Sequence, residues 1–147
     1  MRFVVGADDS SDVVEAVVAD LRARGHEVRR IENQSWPEVA CRVAEEVSSG
    51  HADQGVLFCW TGTGTTIAAN KVPGARAALV WDPWIARGAR LWNDANVLVM
   101  SCKLVGPDLS RRILDEWLAV TTPDPTELEN IARLSEIERR YATVGTQ

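Results

Sequence analysis

Five short apolar runs, each followed by a stretch of helical periodicity, recur along this chain, and that alternation most narrows the folds open to it. Residues 2–7 hold Phe3, Val4 and Val5 in a strand-like run; Val13, Val14, Ala16, Val17 and Leu21 then mark one face of a helix that stops at Arg24 and Gly25. Val28 and Ile31 mark a short second strand. Pro37 suits a first helical turn, and Val39, Ala40, Val43, Ala44 and Val47 lead that helix to Ser49 and Gly50. A third strand over 54–59 contains Val56, Leu57 and Phe58, ends in a glycine-rich turn, and passes into a helix over 65–70. Residues 77–80 read as a fourth strand with a helix after Pro83. Residues 96–101 read as a fifth, followed by a helix through Leu109, Ile113, Leu114, Trp117 and Leu118. Such spacing demands an α/β fold with a five-stranded parallel sheet covered on both faces, because each right-handed crossover lays its helix across the sheet. Residues 127–140 have helical periodicity but are too polar for another buried layer. This extra C-terminal helix is expected on a partner subunit or at the domain edge. A single domain over 1–147 accounts for the whole pattern, with an α/β core at 1–122 and a C-terminal helix and tail at 123–147 placed at a dimer interface; no repeat or linker asks for a second.

Charge and cysteine usage remove several function classes. A formal net charge of −5 and a pI near 5.0 supply no basic stripe to follow a phosphate backbone, so no nucleic-acid partner is expected. There is no long apolar stretch after Met1 and no run of eighteen or more apolar residues, so neither membrane nor export is expected and the reading is cytoplasmic. Cys41, Cys59 and Cys102 form no Cys-x-x-Cys or zinc pattern, which suits a reducing compartment and implies no metal. Six tryptophans, at 36, 60, 81, 84, 92 and 117, are a large share for this length. Packing accounts for most of them, and several could line a pocket.

In open α/β sheets ligands bind outside the carboxyl ends of the strands, and the run Cys59-Trp60-Thr61-Gly62-Thr63-Gly64 falls there. Gly62 and Gly64 let the backbone approach a ligand, and successive N–H groups at a helix start make an anion or oxyanion cradle. The turn lacks the Lys-Ser/Thr ending of a P-loop, and Ile67 stands where the last glycine of a dinucleotide fingerprint belongs, so no nucleotide cofactor is expected. Position alone leaves Cys59 open between inert packing and a thiolate base.

That turn, with Ile67-Ala68-Ala69-Asn70-Lys71, Arg76-Ala77-Ala78-Leu79 and Asn93-Asp94-Ala95-Asn96-Val97-Leu98, resembles the ribose-5-phosphate isomerase B and galactose-6-phosphate isomerase family. The resemblance runs from Val5-Gly6-Ala7-Asp8 to about Trp117. It implies a Rossmann-like three-layer α/β/α sandwich, a homodimer or dimer of dimers with sites between subunits, and a small sugar or sugar phosphate as ligand, with no nicotinamide or metal. The implied chemistry is aldose–ketose isomerisation through a cis-enediolate. By the same resemblance Cys59 is the catalytic base, backbone N–H groups from Thr61 to Gly64 steady the enediolate, and Thr61 and Asn93 touch the sugar. Asp8 matches the first member of a family Asp-His pair that holds hydroxyls. As turn chemistry alone, Asp8 could end the first strand and Asn93 could brace a loop.

Several positions depart from the family pattern. Asp9 stands where the pair has histidine, and Trp92 where a histidine precedes Asn-Asp-Ala-Asn; an indole N–H cannot exchange a proton near neutral pH, so ring opening must use another group or the sugar must arrive open. The chain's own His26 and His51 fall in turns. Glu127-Leu128-Glu129-Asn130 aligns with the segment that brings a histidine and paired arginines to the phosphate. Carboxylates there would repel a dianion that guanidinium forks would hold. Lys103 stands where an arginine usually follows the fifth strand, and Arg87, Arg90 and Arg133 are the other cations able to substitute, unless they only form surface ion pairs. Trp60 replaces a common glycine and Trp36 a common tyrosine. With Trp92 they are expected to give a more apolar, sugar-stacking pocket.

Overall fold

The computed structural model describes residues 1–142; the tail at 143–147 lies outside the described residues. Strands β1 (Arg2–Ala7), β2 (Glu27–Ile31), β3 (Gln54–Cys59), β4 (Ala77–Leu79) and β5 (Val97–Ser101) form one parallel sheet in the order β2-β1-β3-β5-β4. Between and after them run α1 (Asp12–Ala23), α2 (Trp36–Ser48), α3 (Thr63–Ala69), α4 (Pro83–Asn93) and α5 (Pro107–Ala119). The alternation read from the sequence is therefore the fold, and the expected five-stranded sheet, its two covered faces and the C-terminal helix are all present.

Side chains alternate across the strands and sort the core into two layers. Phe3, Val5, Val56, Phe58, Leu98 and Met100 meet α1, α4 and α5 on one face. Val4, Leu57, Val97 and Val99 meet α2 and α3 on the other. On this second face α2 lies very close to the sheet. A Cβ at Gly6 would sit 2.7 Å from both Val39 Cγ1 and Val43 Cγ2, and one at Gly55 2.7 Å from Val43 Cγ1, so two glycines in neighbouring strands make the groove that α2 occupies.

The fourth strand is shorter than 77–80: it ends at Leu79, although the Val80 amide still bonds Val99 O at 2.8 Å. Its edge is blunted locally, because the Asn70 amide group bonds both Ala77 N and Ala77 O, at 2.8 and 2.9 Å, in the manner of a neighbouring strand. After α5 a single 3-10 turn (Pro125–Glu127) leads into α6 (Leu128–Ala142), which has no buried residue. The Gly74 amide donates to Glu138 Oε1 at 3.0 Å, which ties α6 beside the β4 edge.

Candidate active site

Strand order reverses direction between β1 and β3, since the chain steps from β1 outward to β2 and from β3 outward the other way. Loops leaving adjacent strands to opposite faces open a crevice there. Asp8 follows β1 and Cys59 ends β3, so the two residues come to this crevice from registered neighbours, Ala7 opposite Phe58. They line one cleft of about 420 Å³ together with Trp36, Trp60, Thr61, Thr63 and Gly64. Six residues from the loop after β1, the start of α2 and the β3–α3 turn thus converge around one thiol.

The turn is shaped by its glycines. Gly62 has φ +82°, and a Cβ on it would lie 2.5 Å from Leu79 Cδ1, so a side chain is excluded on backbone and on space. Both Thr65 Oγ1 and Thr66 Oγ1 donate to Gly62 O, at 3.2 and 2.7 Å. Thr61 Oγ1 and Thr63 Oγ1 are 2.7 Å apart, and the Thr63 amide donates to Thr61 Oγ1 at 3.3 Å. First-turn amides have no intrahelical acceptor, which leaves those of Gly64 and Thr65 for another partner. Trp36 is the first residue of α2, and its indole lies over Gly64, with Cε3 3.1 Å from where a Cβ would stand. The Cys59 side chain is only 9% exposed, at the floor of the cleft. Burial pushes the Cys102 thiol up, with the Asp8 and Cys59 charges adding to the shift, and burial does the same for Cys41 beside Glu45. Neither is disposed to be a thiolate at neutral pH.

Two further residues hold Trp60 of this cleft. Lys103 Nζ stands over the Trp60 ring, 4.3 Å from its centroid. Ser101, 3% exposed, donates from Oγ to Trp60 O at 2.5 Å and accepts from the Lys103 and Leu104 amides at 3.2 Å each. Sequence reasoning missed Ser101. Its only signal was a hydroxyl closing the otherwise apolar run Val97 to Met100.

Other expected site residues fall elsewhere. Asp9 accepts the Ser10 amide at 2.8 Å and lines an adjoining cleft of about 430 Å³, which shares Asp8 with the first and includes Ser10, Glu15, Arg30 and Glu32, where Arg30 pairs with both glutamates. Trp92 and Asn93 close α4, which returns the chain to the start of β5, whereas Cys59 is in register with Ser101 at its end. Four strand steps, roughly 13 Å, therefore separate the two edges. Asn93 lines a different cleft, of about 440 Å³, with Asn70, Arg76, Leu134 and Ile137. Its neighbours are structural: Arg76 binds Asp94 O and Oδ2 at 2.7 and 3.0 Å, and Asn96 Oδ1 accepts the Arg76 amide at 2.7 Å. Of the cations weighed as phosphate ligands, Arg90 is buried and bonds Ala95 O at 2.6 Å, Arg87 pairs with Glu116, and Arg133 with Glu129. Lys103 alone of the four stands beside a residue of the Cys59 cleft. Of the six tryptophans only Trp117 is core, bonding Gln54 Oε1 at 2.6 Å; Trp84 and Trp92 meet edge to face at 5.7 Å, and the other three are exposed.

Among the described residues no cluster of three or more His, Cys, Asp or Glu could hold a metal ion, and no helix is long and apolar enough to cross a membrane. The fold and the crevice define a small-molecule enzyme of the open α/β type, with a cysteine at the tip of a central strand. The model of the Ribose/Galactose Isomerase family matches residues 3–137, and the chain belongs to that family. It is 37% identical over 147 residues to ribose-5-phosphate isomerase B of Escherichia coli (strain K12), covering 95% of this chain and 97% of that one. It is 37% identical over 130 residues to D-erythrulose-4-phosphate isomerase 2 of Mycolicibacterium smegmatis, covering 82% and 85%. Ribose-5-phosphate isomerase B of Clostridium thermocellum superimposes with a TM-score of 0.91 at 35% identity, covering 96% of this chain and 99% of that structure.

Proposed function

We propose that this protein interconverts an aldose and its ketose by a cis-enediolate mechanism, on a sugar or sugar derivative other than ribose 5-phosphate. The observation behind this is the convergence of Cys59, Thr61, Thr63, Gly64 and Asp8 on one crevice in a chain of this family. Cys59 as base takes the proton from the carbon beside the carbonyl and returns it to the former carbonyl carbon, while the hydroxyl proton passes from one cis oxygen to the other, so that one carbonyl is lost as the other forms. No co-reactant is needed. The charge that forms on oxygen meets the amides of the turn and the Thr61–Thr63 hydroxyl pair, and Asp8 accepts from sugar hydroxyls. The indole of Trp36 offers a flat face to sugar C–H groups.

The opposite edge of the sheet supplies Asn93 and Trp92 to a second copy, so that each complete site takes Cys59 from one chain and Asn93 from another. Supporting this is α6, whose apolar stripe of Leu128, Ile131, Leu134 and Ile137 has no buried member in one chain. The same stripe supports a domain core at 1–122 with α6 laid against a partner. The partner is a second copy, and the working assembly is a homodimer or a dimer of dimers.

Deuterium incorporation from heavy water into a panel of sugars and sugar phosphates tests the reading directly. Cys59→Ala is expected to keep the fold and abolish exchange on whichever compound the native protein labels. Retention of most of the exchange by Cys59→Ala would remove Cys59 from the mechanism.

A further inference from the structure

Along a strand the N–H and C=O of one residue face one neighbouring strand, and those of the next residue face the other. Cys59 faces β5, because its carbonyl accepts from the Cys102 amide at 3.0 Å. A continuing β3 would therefore turn the Trp60 carbonyl toward β1, on the opposite side of β3. Instead Trp60 O accepts from Ser101 Oγ, on β5, at 2.5 Å, so two successive carbonyls face the same strand. In a planar trans peptide the N–H points opposite to the C=O, and among the described residues no peptide bond is cis. Holding Trp60 O at β5 thus aims the Thr61 N–H the other way, to the side where Asp8 follows β1 and lines the cleft. Among the described residues nothing accepts from that amide. The hydroxyl that does this is not free to turn. Ser101 is 3% exposed, its oxygen accepts from the Lys103 and Leu104 amides at 3.2 Å each, and its single proton is left for Trp60 O.

We propose that Ser101 is a positioning residue for the isomerisation: by turning the Trp60–Thr61 peptide out of the strand pattern, it aims the Thr61 amide at the oxygen that becomes negative in the enediolate. This rests on the reading of the Cys59 turn as the sugar site. Ser101 itself touches no substrate. Alanine in its place releases Trp60 O and lets the peptide return to the strand direction, with its N–H toward β5. A donor aimed at charge that forms during the reaction acts on rate more than on binding of the sugar.

Glycolohydroxamate copies the two carbons and cis oxygens of an enediolate and no other part of a sugar, so it probes the turn whatever the substrate is. In the native protein labelled with nitrogen-15, the Thr61 amide signal should move as this compound binds. In Ser101→Ala it should stay still, with binding weaker by roughly tenfold or more. On the compound that the native protein labels with deuterium, the saturated exchange rate of Ser101→Ala should fall by roughly ten- to a thousandfold, up to the loss of an oxyanion donor, with the half-saturating concentration little changed. Ser101→Thr keeps the hydroxyl and should restore both readouts. Ser101→Val has the shape of threonine without the hydroxyl and should not, which keeps the comparison decisive if Ser101→Ala does not fold. A native Thr61 signal that ignores glycolohydroxamate, or a valine variant equal to the threonine variant, would each overturn the proposal. So would a Ser101→Ala protein that melts earlier but keeps the native rate and Thr61 response, since its bond would then be purely structural. Cys59→Ala separates the two readings. If it loses proton exchange but keeps the Thr61 response, both stand; if it keeps exchange, the proposed base falls and Ser101 is judged on the Thr61 signal alone.

Discussion

At Gly62 a single hydrogen stands where any side chain would meet Leu79 Cδ1 at 2.5 Å, on a backbone already in the left-handed region. Gly62→Ala is therefore expected to lower stability by about 1–3 kcal/mol and to displace the turn that lines the cleft. Thermal denaturation would show the first effect and proton exchange the second; a variant with native melting and native exchange would show that the turn adapts. The placement of Cys59 to Gly64 was legible because it lies in one unbroken run, where spacing alone puts a thiol at a strand end and glycines after it. Ser101 was not legible. Its bonds join loops forty residues apart, and a serine after four apolar residues reads equally as the end of a strand. Asn93-Asp94-Ala95-Asn96 was legible as a motif but not in its division of labour. Only the fold reveals that Asp94 and Asn96 brace Arg76 while Asn93 turns to another cleft.

Helix α6 illustrates what periodicity can and cannot convey at the scale of elements. Its apolar positions predict a helix with one sticky face, and the helix is there, but periodicity does not say which surface covers that face. Deleting residues after Pro125 should leave the sheet and its five helices folded, because the deleted segment contributes no residue to either core layer. It should weaken self-association, seen as a shift toward monomer in sedimentation at low concentration. A truncated chain that sediments as the native one does would place the interface elsewhere. The same helix bears on the substrate. Glu127 accepts from Asn130 at 3.0 Å and Glu129 from Arg133 at 2.5 Å, so the segment aligned with the family's phosphate ligands presents carboxylates whose partners lie on the helix itself. Ribose 5-phosphate should accordingly be turned over weakly. Two lost charge-assisted bonds at about 1.5–3 kcal/mol each reduce binding by roughly a hundredfold to ten-thousandfold if they act independently. Efficient turnover that is lost on replacing Arg133 or Arg139 would show that the phosphate site persists in another form.

For the whole molecule, the decisive fact is that a parallel sheet has two different edges. Cys59 and Asp8 lie at the carboxyl edge, and Asn93 lies where α4 returns the chain to the amino edge, so one copy cannot bring its own Asn93 to its own Cys59 without unfolding β5. If both residues act on one sugar, the site must be shared between copies. A C2 interface then repeats the arrangement twice, because whatever one chain gives its partner it also receives. This symmetry yields an outcome that no single-chain site can produce. Cys59→Ala and Asn93→Ala chains, each nearly inactive alone, are mixed by unfolding and refolding together. Random pairing makes half the dimers mixed, and every mixed dimer has one site with both substitutions and one with neither, so about a quarter of all sites regain the native pair. Proton exchange should rise to about that fraction of the native value after refolding and not after simple mixing of folded dimers. Activity that never exceeds the parents would confine Cys59 to a site without Asn93. High activity of Asn93→Ala on its own would leave Asn93 a bracing residue, and the shared site would have to rest on other contacts.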